Sequence, residues 1–140
     1  MLKVVVDTSV FVAGILSRSP ESSSYQLLES WKLRAFTLVI SPQLLRELVV
    51  VLLRRGIAEN DLEDLVEVIS LIALQIPGAY ETTTLDEVDP DDNKFLAAAY
   101  EAKADFLVSL DSDLLNLKFS HGTQIITPAA FLEFVAENRA

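Results

Sequence analysis

Four acidic residues lie where the sequence pattern places the ends of hydrophobic elements, beside turns of the chain: Asp7, Glu47, Asp92 and Asp111. Asp7 follows the hydrophobic segment at 2–6, and Asp111 follows the one at 106–110. Both segments have the β-branched and aromatic content of buried parallel strands. Ligands of open α/β sheets bind beyond the carboxyl ends of the strands, so we expect these two carboxylates to face one crevice. Clustered carboxylates repel one another unless a cation binds them. The pattern therefore predicts a divalent metal site.

The available ligands favour a hard cation. The chain has no cysteine and a single histidine, His121, which we expect in a solvated surface loop. Carboxylate oxygens select Mg²⁺ or Mn²⁺ over metals that prefer sulfur or nitrogen. Such a metal activates water for phosphodiester cleavage and neutralises charge on the phosphate, so no side-chain nucleophile is required. Either Glu47 or Asp92 could instead serve as a general base.

Composition limits the partners of the chain. The net charge of −10 argues against binding nucleic acid over the whole surface, because that mode needs clustered Lys and Arg. Any contact with nucleic acid is therefore expected to be local. Basic residues recur on two predicted helices, one with Arg46, Arg54 and Arg55 and one with Lys94 and Lys103. They line a cleft in one interpretation and form ordinary solvated helix faces in the other.

The elements that must position the acidic residues alternate along the chain. The pattern predicts strands at 2–6, 36–40, 79–83, 106–110 and 124–126, and helices at 8–16, 25–33, 42–55, 61–75, 90–102 and 129–137. With right-handed crossovers, this order predicts an α/β fold with a twisted, mostly parallel sheet flanked by helices on both faces. At 140 residues, the chain is expected to form one domain, 1–140.

Three helix starts carry a specific signal, a capping residue followed by proline. They are Ser41-Pro42, Asp89-Pro90 and Thr127-Pro128, and Thr8-Ser9 is expected to cap the first helix. Asp92 lies three residues after the predicted cap Asp89, where an acid also satisfies helix N–H groups and the helix dipole. A purely structural explanation of Asp92 therefore remains open.

Targeting and membrane signals are lacking in the sequence. No secretory signal is recognisable, and no charge-free stretch reaches the ~18 residues of a membrane-spanning helix. We expect a cytoplasmic protein without membrane contact. Surplus apolar residues on the predicted helices 25–33 and 61–75 favour a homodimer through helix faces.

Four segments of the chain resemble, in order, the conserved blocks of PIN-domain proteins: 4–9 (VVVDTS), 41–48 (SPQLLREL), 89–96 (DPDDNKFL) and 106–115 (FLVSLDSDLL). The resemblance covers almost the whole chain and is closest to the toxins of VapC-type toxin–antitoxin systems. It implies a single PIN-like domain that cleaves RNA with Mg²⁺ or Mn²⁺. It also implies an antitoxin partner that inserts a segment near the active site, where Arg46 or Lys94 could contact either the antitoxin or RNA.

The resemblance also implies roles for individual residues. It carries over Asp7, Glu47, Asp92 and Asp111 as the metal-binding and catalytic acids. Asp113 is a fifth candidate, and the resemblance leaves the last ligand open between Asp111 and Asp113. Two hydroxyl residues, Ser9 and Ser109, stand where the family often has a hydroxyl near the metal, which implies that they support the ligands.

Other protein classes fit less well. A phosphoacceptor receiver domain needs paired acids at the end of the first strand, where this chain has Asp7-Thr8-Ser9. A phosphatase of the haloacid dehalogenase type needs a second aspartate at the position of Ser9. A phosphate-binding loop rich in glycine is absent from the sequence. The main alternative is a PIN-like metal-binding module that acts through partner binding, with little nuclease activity.

Overall fold

A computed structural model describes residues 1–17, 19–86 and 88–138 of the chain. Within these residues the strands are β1 (Lys3–Val6), β2 (Thr37–Ile40), β3 (Leu74–Gln75), β4 (Phe106–Val108), β5 (Phe119–Ser120) and β6 (Thr123–Ile126). The helices are α1 (Thr8–Leu16), α2 (Ser23–Lys32), α3 (Pro42–Arg54), α4 (Glu59–Ile72), α5 (Asn93–Ala102), α6 (Ser112–Leu115) and α7 (Pro128–Glu137). A 3₁₀ turn, Pro90–Asp92, precedes α5. None of the described helices is long and apolar enough to cross a membrane.

The strands form one sheet in the order β3-β2-β1-β4-β6-β5, flanked by helices on both faces. Five strands run parallel, and β5 pairs antiparallel with β6. The predicted α/β class and mostly parallel sheet are confirmed. In the register of the central pair, Val6 of β1 lies beside Val108 of β4. The carboxyl ends of these two strands are therefore neighbours, as a site between them requires.

Aromatic packing fixes the last helix against the sheet. The ring of Phe131, on α7, is fully buried and meets Phe36 and Phe106 edge to face, with centroids 5.1 and 5.5 Å apart. Edge-to-face contacts of this kind add to the free energy gained by burying the rings. Helix α7 therefore packs against β4 through these rings. The carboxyl end of β4 leads to the candidate residues.

Helices α1 and α2 cross closely because residue 14 is glycine. A Cβ atom at Gly14 would lie 2.7 Å from Leu28 Cδ1 and 2.8 Å from the carbonyl oxygen of Ser24. Both distances are shorter than van der Waals contact, so a side chain at this position would force the helices apart. Since α1 begins immediately after Asp7, this crossing also helps to fix the start of α1.

Two of the three predicted cap-and-proline helix starts are confirmed, and the third begins a 3₁₀ turn instead of the helix. The Ser41 hydroxyl accepts a hydrogen bond from Leu44 N, and the Thr127 hydroxyl accepts one from Ala130 N. Asp89 caps the 3₁₀ turn, not α5 directly, by accepting from Asp91 N. The prediction that Thr8-Ser9 caps the first helix is wrong, because the capping residue is Asp7.

The predicted strand at 79–83 is wrong. Those described residues form no strand, and the strand that pairs with β2 is Leu74–Gln75, within the predicted helix 61–75. The apolar spacing that predicts the helix continues past its true end at Ile72, so periodicity alone could not locate the change. Sequence analysis also missed β5, which forms a hairpin with β6 around His121 and Gly122.

Candidate metal centre

Asp7 lies at the junction of β1 and α1 and is tied to the neighbouring strand. Its amide donates to the Val108 carbonyl at 2.9 Å. The carboxylate, 5% exposed, accepts hydrogen bonds from the hydroxyls of Ser9 and Ser109 at 3.1 and 2.6 Å. Burial raises the pKa of Asp7, and these hydrogen bonds oppose the rise. The Ser9 amide also donates to this carboxylate, so its position is fixed by both strands and by three donors.

Ser109 connects Asp7 with the second strand end. Its side chain is fully buried, and its oxygen accepts a hydrogen bond from the Asp111 amide at 2.9 Å while its hydroxyl donates to Asp7. Asp111 then caps α6 through an oxygen that accepts from the Asp113 amide at 2.9 Å. One buried hydroxyl thus fixes the spacing between the two acidic strand ends.

Four aspartates converge at this end of the sheet. One carboxylate oxygen of each lies within 4.8 Å of those of the other three: Asp89, Asp92, Asp111 and Asp113. The set comes from the 3₁₀ turn and from α6 with its cap. Oxygen ligands in such a group suit a hard divalent cation. The two aspartates that the family resemblance leaves open as last ligand, Asp111 and Asp113, both belong to the group.

Asp92 is the least satisfied carboxylate in the group. It is 7% exposed, makes no capping hydrogen bond, and its Oδ2 atom is buried without a hydrogen-bond partner. Burial raises the pKa of Asp92 to about 8, and the Asp111 carboxylate and the charges of Asp7 and Asp89 add to the rise. A purely structural cap would use its oxygen on the helix N–H groups. Asp92 stands at the N-cap position of α5 but makes no capping hydrogen bond, so capping does not account for its buried carboxylate.

Glu47 lies apart from the four-aspartate group. One of its oxygens accepts from the Thr8 hydroxyl at 2.5 Å, and the other pairs with the Lys94 ammonium at 2.8 Å. Because Thr8 follows Asp7 directly, Glu47 still borders the site. The structure thus brings the predicted ligands Asp92 and Asp111 into the four-aspartate group. Asp7 lies outside that group, although its charge acts on Asp92, and Glu47 is paired with Lys94.

The predicted basic residues differ in their surroundings. Arg46, Arg54 and Arg55 are exposed. Lys94 is half-buried and donates to the Asp91 carbonyl in addition to its pair with Glu47. Of the basic residues in the described part of the chain, Lys94 is the one that pairs with an acid at this site.

Asp89 is a candidate ligand that sequence analysis missed. The cap-and-proline pattern explained it completely, since its Oδ1 accepts from the Asp91 amide at 3.2 Å. That bond uses one carboxylate oxygen, so the residue can cap the turn and also join the acidic group. The three aspartates within residues 89–92 were the sequence feature that could have indicated a further ligand.

We expect the raised pKa of Asp92 to make the metal-free protein less stable as pH rises. Between the unperturbed pKa of 3.8 and about 8, the folded state holds a proton that the unfolded state has lost. The free energy of unfolding therefore falls across this window. The side chain in Asp92→Asn cannot ionise. The free energy of unfolding, measured with denaturant in EDTA, should therefore rise for the variant relative to the parent chain between pH 5 and pH 8. Asp91→Asn, at an exposed position, is the matched control, and parallel curves for Asp92→Asn and the parent would contradict this assignment.

Comparison with known proteins agrees with this architecture. No curated protein sequence matches the chain significantly. A family model described as the PIN domain matches residues 3–113, a range that includes Asp7, Glu47, Asp92, Asp111 and Asp113. PIN domains are typically metal-dependent nucleases, and the aspartate group could bind such a metal. The chain belongs to the PIN domain family.

Proposed function

We propose that the protein is a Mg²⁺- or Mn²⁺-dependent endoribonuclease and the toxin of a VapC-type toxin–antitoxin pair, with one PIN domain over residues 1–140. The observation that carries the nuclease proposal is the buried, unpartnered Oδ2 of Asp92 beside three other aspartates. A buried polar atom without a partner costs free energy, and a bound cation would remove that cost. Family membership supports a hydrolase acting on nucleic acid.

The donor atoms present fit a divalent hard cation. We assign Asp7, Glu47, Asp92 and Asp111 as its ligands and as the catalytic acids, with Asp113 and Asp89 close enough to contribute. When bound, the metal would supply an activated water and neutralise charge on the scissile phosphate. No cysteine or histidine lies among these ligands, which supports Mg²⁺ or Mn²⁺ over softer metals.

The chain's own residues prepare this chemistry. Ser9 and Ser109 support the site by donating to Asp7, which orients its carboxylate and favours its charged form. Asp92 holds a proton at neutral pH while the site lacks a cation. Cation binding would release that proton and leave the carboxylate free to coordinate or to act as a base.

Glu47 has two competing uses in this proposal. In the structure its Oε1 pairs with Lys94, whereas metal coordination would draw on the same carboxylate. Lys94 would then be released at the edge of the site, where it and the exposed Arg46 are our candidates for contact with RNA or an antitoxin. The same ion pair supports the alternative function, a partner-binding PIN module with little turnover, because it holds Glu47 away from a metal.

Partners and location are part of the proposal. We propose RNA as substrate, an antitoxin protein as regulator and the cytoplasm as the place of action. For a homodimer, the apolar residues Leu27, Leu28 and Trp31 of α2 are buried in the core, whereas Leu33 at its C-terminal cap is exposed. The exposed Leu71 on α4 remains available for such an interface.

Cleavage of single-stranded RNA should require metal and Asp92. With Mn²⁺ present, we expect Asp92→Asn to reduce the cleavage rate by orders of magnitude, since it removes a proposed ligand. The control is Asp91→Asn, which alters an exposed acid of the same turn and should retain activity. Loss of cleavage in Asp91→Asn but not in Asp92→Asn would show that the third acid is assigned wrongly. No cleavage by the folded parent chain would favour the partner-binding alternative.

Removing the charge of Lys94 should strengthen metal binding. In Lys94→Met, Glu47 loses its ammonium partner, so a metal no longer competes with a cation and we expect about tenfold tighter binding of Mn²⁺. The affinity is measured from the rise of melting temperature with Mn²⁺ concentration. Arg46→Met is the control, as it removes an exposed charge beside Glu47. Weaker binding by Lys94→Met would show that Lys94 orients Glu47 for the metal.

A further inference from the structure

Three aromatic side chains form an exposed cluster on one side of α5. Tyr80 meets Tyr100 edge to face at 5.2 Å, and Tyr100 meets His121 at 5.2 Å. Tyr80 is 53% exposed, Tyr100 is 50% exposed, and His121 lies exposed in the β5–β6 hairpin turn. These rings contribute little to the core, and each leaves much of its surface accessible to a flat ligand.

The cluster lies in a concave surface whose first cavity is lined by Pro90 and Asn93, on either side of the acidic residues 91 and 92. Adjoining cavities of about 540, 200 and 460 Å³ follow α5, and all three are lined by Tyr80. The first contains Lys94, the second Tyr100 and His121, and the third also Lys103. We call this surface the α5 groove. The first cavity reaches Asn93, the residue after Asp92, although none of the candidate acidic ligands lines the three cavities.

The outer wall of the groove is held in place by specific hydrogen bonds. The Glu101 carboxylate accepts from the amides of Gly78 and Ala79 at 3.4 and 2.6 Å, and the Gln43 side chain donates to the Gly78 carbonyl at 3.1 Å. Gly78 has a φ of +74°, which favours glycine. These hydrogen bonds fix the backbone just before Tyr80. The ring of Tyr80 would therefore be in position before a ligand binds.

The charges in the groove differ from those of the whole chain. Lysines lie at both ends, Lys94 and Lys103, separated along α5 by about 13.5 Å at 1.5 Å per residue. The lining also contains two acids, Glu81 and Glu101, so its charges balance, and Lys94 is in addition paired with Glu47. A chain with a net charge of −10 thus presents here a locally balanced surface that tolerates phosphates.

We propose that the α5 groove binds single-stranded RNA, with bases stacked on Tyr80 and Tyr100 and backbone phosphates near Lys94 and Lys103. Aromatic rings accept any base, and lysines follow the backbone without reading sequence. The groove would extend the substrate contact beyond the scissile phosphate and direct the strand toward the aspartate group. This inference rests on the proposed function, because it requires RNA to be the substrate.

The test is RNA affinity in the absence of cleavage. A fluorescent single-stranded RNA of about 10 nucleotides, within the site sizes common for such grooves, is titrated with protein in EDTA at low salt. We expect Tyr80→Ser and Tyr100→Ser each to raise Kd about tenfold through lost stacking. Tyr100→Phe keeps the ring and should bind like the parent chain. Phe119→Ser removes an exposed aromatic ring outside the groove lining and should also leave Kd unchanged.

The outcomes separate this inference from the proposed function. Both tyrosines are half exposed, so the serine variants should keep the parental melting temperature. Cleavage by the parent chain together with unchanged Kd in both variants would overturn the groove and leave the nuclease in place. An equal loss in Phe119→Ser would also overturn it, since the effect would not be local to the groove. If the folded parent chain neither binds nor cleaves RNA, both proposals are wrong.

Discussion

The burial of neighbouring carboxylates is the constraint around which this end of the molecule is built. Asp7 and Asp92 are almost entirely buried, and neutral hydroxyls are the side chains that donate to Asp7. Burial raises the pKa of Asp92 to about 8, and the neighbouring carboxylates of Asp111, Asp7 and Asp89 add to the rise. The fold maintains this unfavourable arrangement through the pairing of β1 with β4 and through the Ser109 hydroxyl between them. Arrangements that lower the stability of the folded protein in this way are typical of functional sites.

A small number of contacts between elements of the fold position the acidic residues of the site. Strand pairing sets Asp7 beside the residues that follow β4, and the 3₁₀ turn brings Asp92 against them. Glu47 comes from α3 and reaches the region through Thr8, with Lys94 of α5 as its counterion. Helix α5 thereby links two features, because it starts at the aspartate group and carries the groove along its length. A change in the position of α5 would affect both.

Local chemistry made much of the fold predictable from sequence. A capping side chain followed by proline determines a helix start through adjacent atoms, so Ser41-Pro42 and Thr127-Pro128 could be located directly. The end of α4 and the two-residue strand β3 could not, since pairing with β2 overrides the apolar spacing there. The proximity of Asp7 and Asp111 was predictable from the strand ends, whereas Asp92 was assigned to the site through the family resemblance. The inclusion of Asp89 and the pairing of Glu47 with Lys94 depend on tertiary contacts that no spacing encodes.

The central claim is that the aspartate group is organised to bind a divalent cation, and proton release on binding tests it most directly. Mn²⁺ is titrated calorimetrically into the protein at pH 7, in two buffers that differ in ionisation enthalpy. Because Asp92 is protonated at this pH in the metal-free state and must ionise to coordinate, we expect about one proton released per ion. Asp92→Asn should release correspondingly less. No binding by the folded chain at millimolar Mn²⁺ would contradict the central claim. Binding without proton release would contradict the protonated state of Asp92 on which the account of the site depends.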